Sequence, residues 1–364
     1  MNQNQSKIKF SISDDILSLK ILEQVVYGIG VEINITELSK IYNKHRNTIT
    51  NKINKFFEQK ILDRPFCSFT DIFDKHSLMV IEKGDFPRDL KTNTWIEKDP
   101  YIWTAYFVKE EEHNTLLLIL IDNLYIYDKW HESIEAESKI TLGERLHPSD
   151  PIFLSTKSII KYDPTTTFSL IEKSYLENHN KMMNDLELDE LSINLIKSLL
   201  TGEGIRINEN FLARELNVNR RTVQRRIDTL IANNIISRPF CRFPNLWAPP
   251  GYFQVLSLVE IKKNKGKILN NLKEDPHIPF LINANYRRYN LVMFSVFKQM
   301  DEHLIWQENY DQRFPNCFGA IKNTYLSPAM TFPIDQEYIS MCYIQDLIHK
   351  INGQVYANLY SLQT

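Results

Sequence analysis

Cysteine is scarce. The 364-residue chain holds four, Cys67, Cys241, Cys317 and Cys342, and no two of them form a C-x-x-C pair. That argues against a disulfide framework and against a structural zinc site, so no metal or other cofactor is expected. Long apolar runs are missing too. The longest, 116–121, is far below the roughly 18 residues needed to cross a bilayer, and no membrane partner is expected. The opening MNQNQSK is polar and lacks a secretory apolar region, which points to a cytoplasmic address. There is no G-x-x-x-x-G-K-[ST] loop, no nucleophile elbow and no H-E-x-x-H pair, so NTPase, hydrolase and zincin chemistry have no support.

What is present is a repeat. Subtracting 174 from each number superimposes 15–69 on 189–243 without a gap, with 18 identities in 55 positions, among them Gly28, Gly30, Asn34, Leu38, Arg46, Thr48 and the run Arg64-Pro65-Phe66-Cys67. Average composition would give roughly one identity in fifteen, so the chain is an internal duplication. The spacing suits a duplicated domain pair, because solenoid repeats run to roughly 20–50 residues.

Within each copy the apolar residues keep helical spacing. In the second, Phe211, Leu212 and Leu216 belong to one short helix, and Val223, Ile227 and Leu230 to the next, which Asn219 is placed to cap. Arg220, Arg221, Gln224 and Arg225 fall off that apolar stripe, where guanidinium forks and an amide suit phosphates and base edges. In the first, a helix over 13–27 capped by Ser13 precedes one opened by Asn34 and another over 45–53, which leaves Arg46, Asn47, Thr50 and Asn51 facing outward.

Charge follows the repeat. Residues 40–68 hold seven Lys or Arg against two acids, residues 214–242 hold the same, and each stretch is therefore +5; the formal total of −2 leaves −12 for the rest. Two equivalent basic stretches in an acidic body have the distribution of a nucleic-acid footprint. The residues expected to touch DNA are Arg220, Arg221, Thr222, Gln224, Arg225, Arg226, Arg238 and Arg242 in one head, and His45, Arg46, Asn47, Thr48, Thr50, Asn51, Lys52 and Arg64 in the other. The plainer reading is a solvated helix face.

After each head the period changes. Strands are expected over 78–81, 105–108, 116–121 and 152–160, with a helical or irregular piece near 85–98 and a helix over 124–134. The second half reads strand 252–261, helix 265–273, strands 278–285 and 289–297, helix 301–311 and strand 317–325. Asp99-Pro100 and Asp275-Pro276 mark similar places. A polar helix over 166–184 links the halves, and an apolar-striped helix over 337–351 is expected to pack on the second half. The Arg-Pro-Phe-Cys-x-Phe repeat is read as a small buried cysteine in a strand rather than a thiol sensor.

Leu212-Ala213-Arg214-Glu215-Leu216, Thr222-Val223-Gln224-Arg225-Arg226-Ile227, Ile235-Ile236 and Gly251-Tyr252 before a strand resemble the helix-turn-helix and sensor domain of the Lrp/AsnC family. The resemblance implies an α+β chain of two winged-helix/helix-turn-helix domains alternating with two ferredoxin-like βαββαβ domains. The implied boundaries are a first head over 10–70, a first sensor-like domain over 71–165, a linker over 166–186, a second head over 187–245, a second sensor-like domain over 246–333 and a terminal helix over 334–364. It also implies a transcriptional regulator that binds double-stranded DNA as a covalent pseudo-dimer and is not an enzyme, with a small-molecule effector and homo-oligomerisation left open. Where the family places Gly and Asp before the third strand, this chain has His113-Asn114-Thr115 and Arg288-Tyr289-Asn290. Siroheme decarboxylases resemble the same two-domain plan. That rival implies a tetrapyrrole pocket between sheets, with His113, Arg287 and Arg288 as candidates. A third reading is a winged-helix scaffold for protein contacts.

Overall fold

The computed structural model describes residues 16–68, 76–109, 113–136, 149–163, 165–178, 182–183, 185–244, 248–332, 334 and 336–351. In chain order these form α1 (Ile16–Val26), β1 (Val31–Ile33), α2 (Ile35–Ile41), α3 (Arg46–Glu58), β2 (Leu78–Gly84), α4 (Leu90–Lys98), β3 (Ile102–Phe107), β4 (Thr115–Ile121), α5 (Leu124–Ala136), β5 (Ser149–Ser155) and β6 (Ile159–Tyr162). There follow α6 (Phe168–Asn178), β7 (Met182–Met183), β8 (Leu186–Glu187), α7 (Glu190–Leu200), β9 (Ile205–Ile207), α8 (Glu209–Glu215), α9 (Arg220–Ala232), β10 (Phe253–Ile261), α10 (Lys265–Glu274), β11 (Phe280–Tyr286), β12 (Tyr289–Phe297), α11 (Met300–Arg313), β13 (Phe318–Leu326) and α12 (Gln336–Ile351). The chain is α+β with antiparallel sheets. Ser13, expected to cap the first helix, lies outside the described residues.

Capping chemistry explains where the short helices start. The Asn34 side chain accepts from Glu37 N–H, Asn208 from Phe211 N–H and Asn219 from Arg221 N–H, so each satisfies a first-turn donor that the helix cannot.

The two heads exchange helices. Leu19, Leu22 and Val26 of α1 share a core with Leu212, Val223, Ile227 and Leu230 of α8 and α9, whereas Leu38, Ile49, Ile53 and Phe56 of α2 and α3 pack with Ile193, Ile196 and Leu199 of α7. Each first helix therefore completes the other copy's bundle. Full burial of each such side chain contributes roughly 1.5–3 kcal/mol, so neither head keeps its core without the other copy. Equivalent positions meet at the crossing: β1 pairs with β9 so that Glu32 faces Arg206, its own counterpart 174 residues on, and Phe66 bridges Phe240 with ring centroids 4.9 Å apart.

The repeated Arg-Pro-Phe-Cys run makes this crossing. Cys67 N–H donates to Val25 C=O and Cys241 N–H to Leu199 C=O. Both thiols are buried, and burial pushes the Cys67 thiol up to about 12, so they are inert packing groups. Gly28 and Gly202 are required beside them. Their φ values are +72° and +81°, and an added Cβ would lie 2.4 Å from the carbonyl oxygen of Pro65 or Pro239. Gly202→Ala is expected to destabilise the chain by at least ~2 kcal/mol, because left-handed backbone alone costs a residue with a β-carbon roughly 1–2 kcal/mol. Chemical denaturation against Gly266→Ala, where an added Cβ meets nothing within 4 Å, checks this; equal midpoints would contradict it.

Below the heads, each half builds one sheet in the order strand, helix, strand, strand, helix, strand. The first runs β3-β4-β2-β5 and the second β13-β10-β12-β11-β6. The strand expected over 152–160 is corrected here: a 3-10 turn over Thr156–Ser158 breaks it, and the remainder, β6, pairs with β11 of the other sheet. Alternation along the strands gives each sheet two apolar faces. Met79, Ile81, Leu116, Leu118 and Leu120 of the first meet Leu256, Leu258, Phe280, Val292 and Phe294 of the second, while the opposite faces are covered by helices.

The duplication repeats two polar devices here. Asp99 accepts from Trp130 Nε1 (2.9 Å) and Tyr101 N–H (2.9 Å), and Asp275 accepts from Trp306 Nε1 (2.8 Å) and His277 N–H (2.8 Å). Asn114 and Asn290 likewise bridge the end of their sheet's first strand, through Phe86 and Ile261. The terminal helix departs from expectation: α12 packs along α1 and β3, in the first half, with Gln345 reaching Glu23 at 3.5 Å. Its apolar residues Ile339, Met341 and Ile344 join the core that holds Leu19, Leu22 and Val26 of α1.

Among the described residues no helix is long and apolar enough to cross a membrane.

Candidate functional site

The basic faces of the heads are unequal. On α9, Arg220, Arg221, Gln224 and Arg225 are exposed, with Arg220 3.6 Å from Glu209, while Thr222 and Arg226 are half-buried. Arg238 is exposed, but Arg242 lies inside the crossing: it is 14% exposed, 3.1 Å from Asp63 and 4.8 Å over the Phe66 ring. Its charge is used between the copies. On α3, His45 caps the helix by accepting from Asn47 N–H, and Thr50 donates to Arg46 C=O. Arg46, Asn47, Thr48, Asn51 and Arg64 are exposed. Lys52 is turned to α7, where it donates to both carboxylate oxygens of Asp189 and to Ser192. Burial raises the Asp189 carboxyl, but the bonds from Lys52 and Ser192 outweigh it and hold it at about 2.

A second polar group lies between the sheets, where apolar packing would be expected throughout. Lys83 Nζ on β2 donates to Thr324 Oγ1 on β13 at 2.7 Å. Tyr106 on β3 is 1% exposed and lies beside Thr104 and, across the interface, Gln254 on β10. Burial raises the Tyr106 phenol, keeping it protonated. Gln254 is 1% exposed, and its amide nitrogen has no partner among the described residues. A buried amide without a partner costs about 1–3 kcal/mol, so the group is held at a loss unless something else takes up its N–H. Aromatic rings share the inter-sheet core: Trp103 lies 5.7 Å from Tyr162 and 6.4 Å from Phe280, which in turn is 5.9 Å from Phe294. Both halves contribute to the polar and to the aromatic set.

Two other buried imidazoles stand apart. His303 is fully buried among Phe253, Phe297, Trp306 and Tyr325, neither ring nitrogen has a partner among the described residues, and burial, then His277, lowers its pKa. It is a neutral packing group. His76 Nδ1 lies 2.7 Å from Asp122 beside Tyr101 and Tyr343.

The candidates for a tetrapyrrole pocket are dispersed. Arg288 pairs with Glu260 at 2.9 Å, Arg287 lies over the Tyr286 ring at 5.4 Å, and His113 is half-buried at the other hairpin. None belongs to the inter-sheet group, whose members sequence reasoning missed. One signal was available: Gln254 interrupts the apolar alternation of Gln254, Leu256 and Leu258 on one strand face.

No protein-family model matches the chain, and no curated protein is similar enough to match. Solved structures are similar over most of its length. A siroheme decarboxylase, NirDL, aligns at 11% identity over 92% of this chain and 99% of its own, with a TM-score of 0.49; its complex with an iron-uroporphyrin III analogue aligns at 12% over 91% and 98%, again at 0.49. A mutant chlorite dismutase from Candidatus Nitrospira defluvii aligns at 8% over 76% and 95%, with a TM-score of 0.33. The expectation that the chain is not an enzyme is corrected by these likenesses, which are to enzymes.

Proposed function

We propose that the chain is a siroheme-decarboxylase-like enzyme that takes a carboxylate-bearing tetrapyrrole where its two sheets face each other. Each half is then one helix-turn-helix head and one ferredoxin-like βαββαβ unit, divided as the sequence suggests, and the duplication joins covalently the two halves that the site needs. The observation that carries the reading is the Gln254 amide nitrogen, buried beside Tyr106 without a partner among the described residues, in the interface that also holds Lys83. A cationic ammonium and a neutral N–H together suit a carboxylate, and flat rings at the same interface suit a macrocycle. Loss of CO2 breaks the bond from the carboxyl carbon to its neighbour and leaves the electron pair on that neighbour. The Tyr106 phenol, kept protonated by burial, supplies the proton that replaces the carboxyl group, and solvent reprotonates the phenolate. The test is incubation with siroheme or an iron-uroporphyrin III, followed by visible absorbance for binding and mass spectrometry for carboxyl loss; neither signal would sink the reading.

A second reading, DNA contact by the heads, is favoured by the exposed Arg220, Arg221, Gln224 and Arg225 along one face of α9. It assigns direct contact to these and to Thr222, Arg226, Arg238, Arg46, Thr50 and Arg64, whereas Asn47, Thr48 and Asn51 face a cavity beside α3. Replacing Arg220, Arg221 and Arg225 together by Ala should weaken binding to duplex by orders of magnitude and flatten its salt dependence. A gel shift unchanged by the triple substitution would refute it.

A further inference from the structure

Beside α3 lies a cavity of about 330 Å³, lined by Asn47, Thr48, Asn51, Lys55, Leu186 and Glu187, with Lys52, Phe56 and Ser192 completing it. Its size falls at the low end of ligand sites, roughly 300–1,000 Å³. One wall is α3 of the first copy; the other is β8 and the start of α7, from the second. The polar groups on the two sides of the wall differ in a way that matters. Lys52 is used up on Asp189 and Ser192. The side chains of Asn47, Thr48, Asn51 and Lys55, at i, i+1, i+4 and i+8 along one helix face, have no hydrogen-bond or ion-pair partner among the described residues. Two amides, a hydroxyl and an ammonium thus converge on one space with their donors unspent, above an apolar floor of Phe56 and Leu186.

We infer that this cavity binds a small organic anion, with one carboxylate or phosphate held by Lys55, Asn51 and Asn47 and an apolar body resting on Leu186. Charge decides against a polyanion. Glu187 forms part of the wall and Asp189 stands behind Lys52, so a nucleic-acid strand would bring its phosphates against two carboxylates, whereas a single anion needs only the Lys55 side. The site does not depend on the chemistry proposed between the sheets.

Calorimetric titration of the full chain with benzoate, phenyl phosphate and inorganic phosphate tests it. Saturable binding of benzoate or phenyl phosphate is expected, the stronger of the two naming the headgroup, with inorganic phosphate weaker because it lacks the apolar body. Asn51→Ala and Lys55→Ala should each cost about tenfold in affinity, as loss of one charge-assisted bond does, while Glu187→Gln should strengthen binding several-fold. These side chains are exposed, and circular dichroism of the variants should match the parent. No saturable binding by either organic anion, or binding indifferent to the Asn51→Ala/Lys55→Ala pair, would overturn the inference. So would displacement of benzoate by short duplex DNA that those two substitutions weaken in parallel.

Discussion

Tyr106→Phe is expected to lower the rate of carboxyl loss from a tetrapyrrole by between about 10² and 10⁴, the usual contribution of a positioned proton donor, while leaving tetrapyrrole binding within a few-fold of the parent. The ring stays, so the packing of a residue that is 1% exposed stays with it. Only the hydroxyl beside Thr104 and Gln254 is lost. Lys83→Ala should show the opposite split. Its ammonium reaches Thr324 from the other half, and removing it takes away the charge that would hold a carboxylate, so affinity should fall before the chemical step does. Binding from absorbance titration and single-turnover rates from product mass separate the two. If Tyr106→Phe turns over at the parental rate, the phenol is not the proton source, and the site between the sheets loses its chemistry even if binding persists.

Asp275→Ala should be among the most damaging single changes for stability. It strands Trp306 Nε1, Tyr310 Oη and the His277 N–H, which this carboxylate accepts at 2.8 Å in each case. A stranded buried donor costs about 1–3 kcal/mol, and because these three are half-buried and share one acceptor the loss should be about 2 kcal/mol rather than a simple sum. Asp99→Ala removes the counterpart, a buried carboxylate that accepts from the Trp130 indole and the Tyr101 N–H, and should cost a similar amount. Both losses can be read from thermal midpoints, and that of Asp275 also from hydrogen exchange at the Trp306 indole. Equal midpoints for both variants and the parent would mean that water replaces the carboxylate at no cost, which contradicts the argument.

The duplication shows how far a sequence speaks for itself. Self-similarity at 174 residues, Asn34 and Asn219 as caps, the strand at 289–297 and the paired Asp-Pro marks are signals readable in the sequence, because capping, periodicity and turn chemistry act within a few residues. The structure gives these the form the sequence implied. The exchange of α1 and α7 carried no such signal. An apolar stripe on a helix specifies that it must be covered, not by which of two nearly identical bundles. For the same reason α12 was expected on the second half and lies on the first.

The sites divide along the same line. The basic residues of α3 and α9 are visible as a charge pattern, but their uses are not: Arg242 and Lys52 look like their neighbours in sequence, and each is drawn into an ion pair with the other copy, to Asp63 and Asp189. Lys83, Tyr106 and Gln254 are separated by up to 171 residues (254 minus 83) and meet only because two sheets stack face to face.

Composition and period alone determined that this is a doubled α+β chain with cationic helices and apolar-faced strands, since those follow from residue order within single elements. Which copy completes which bundle, which charges are spent and what lies between the sheets were decided by packing, because two equivalent surfaces offered every element a choice that only the closed tertiary structure resolves.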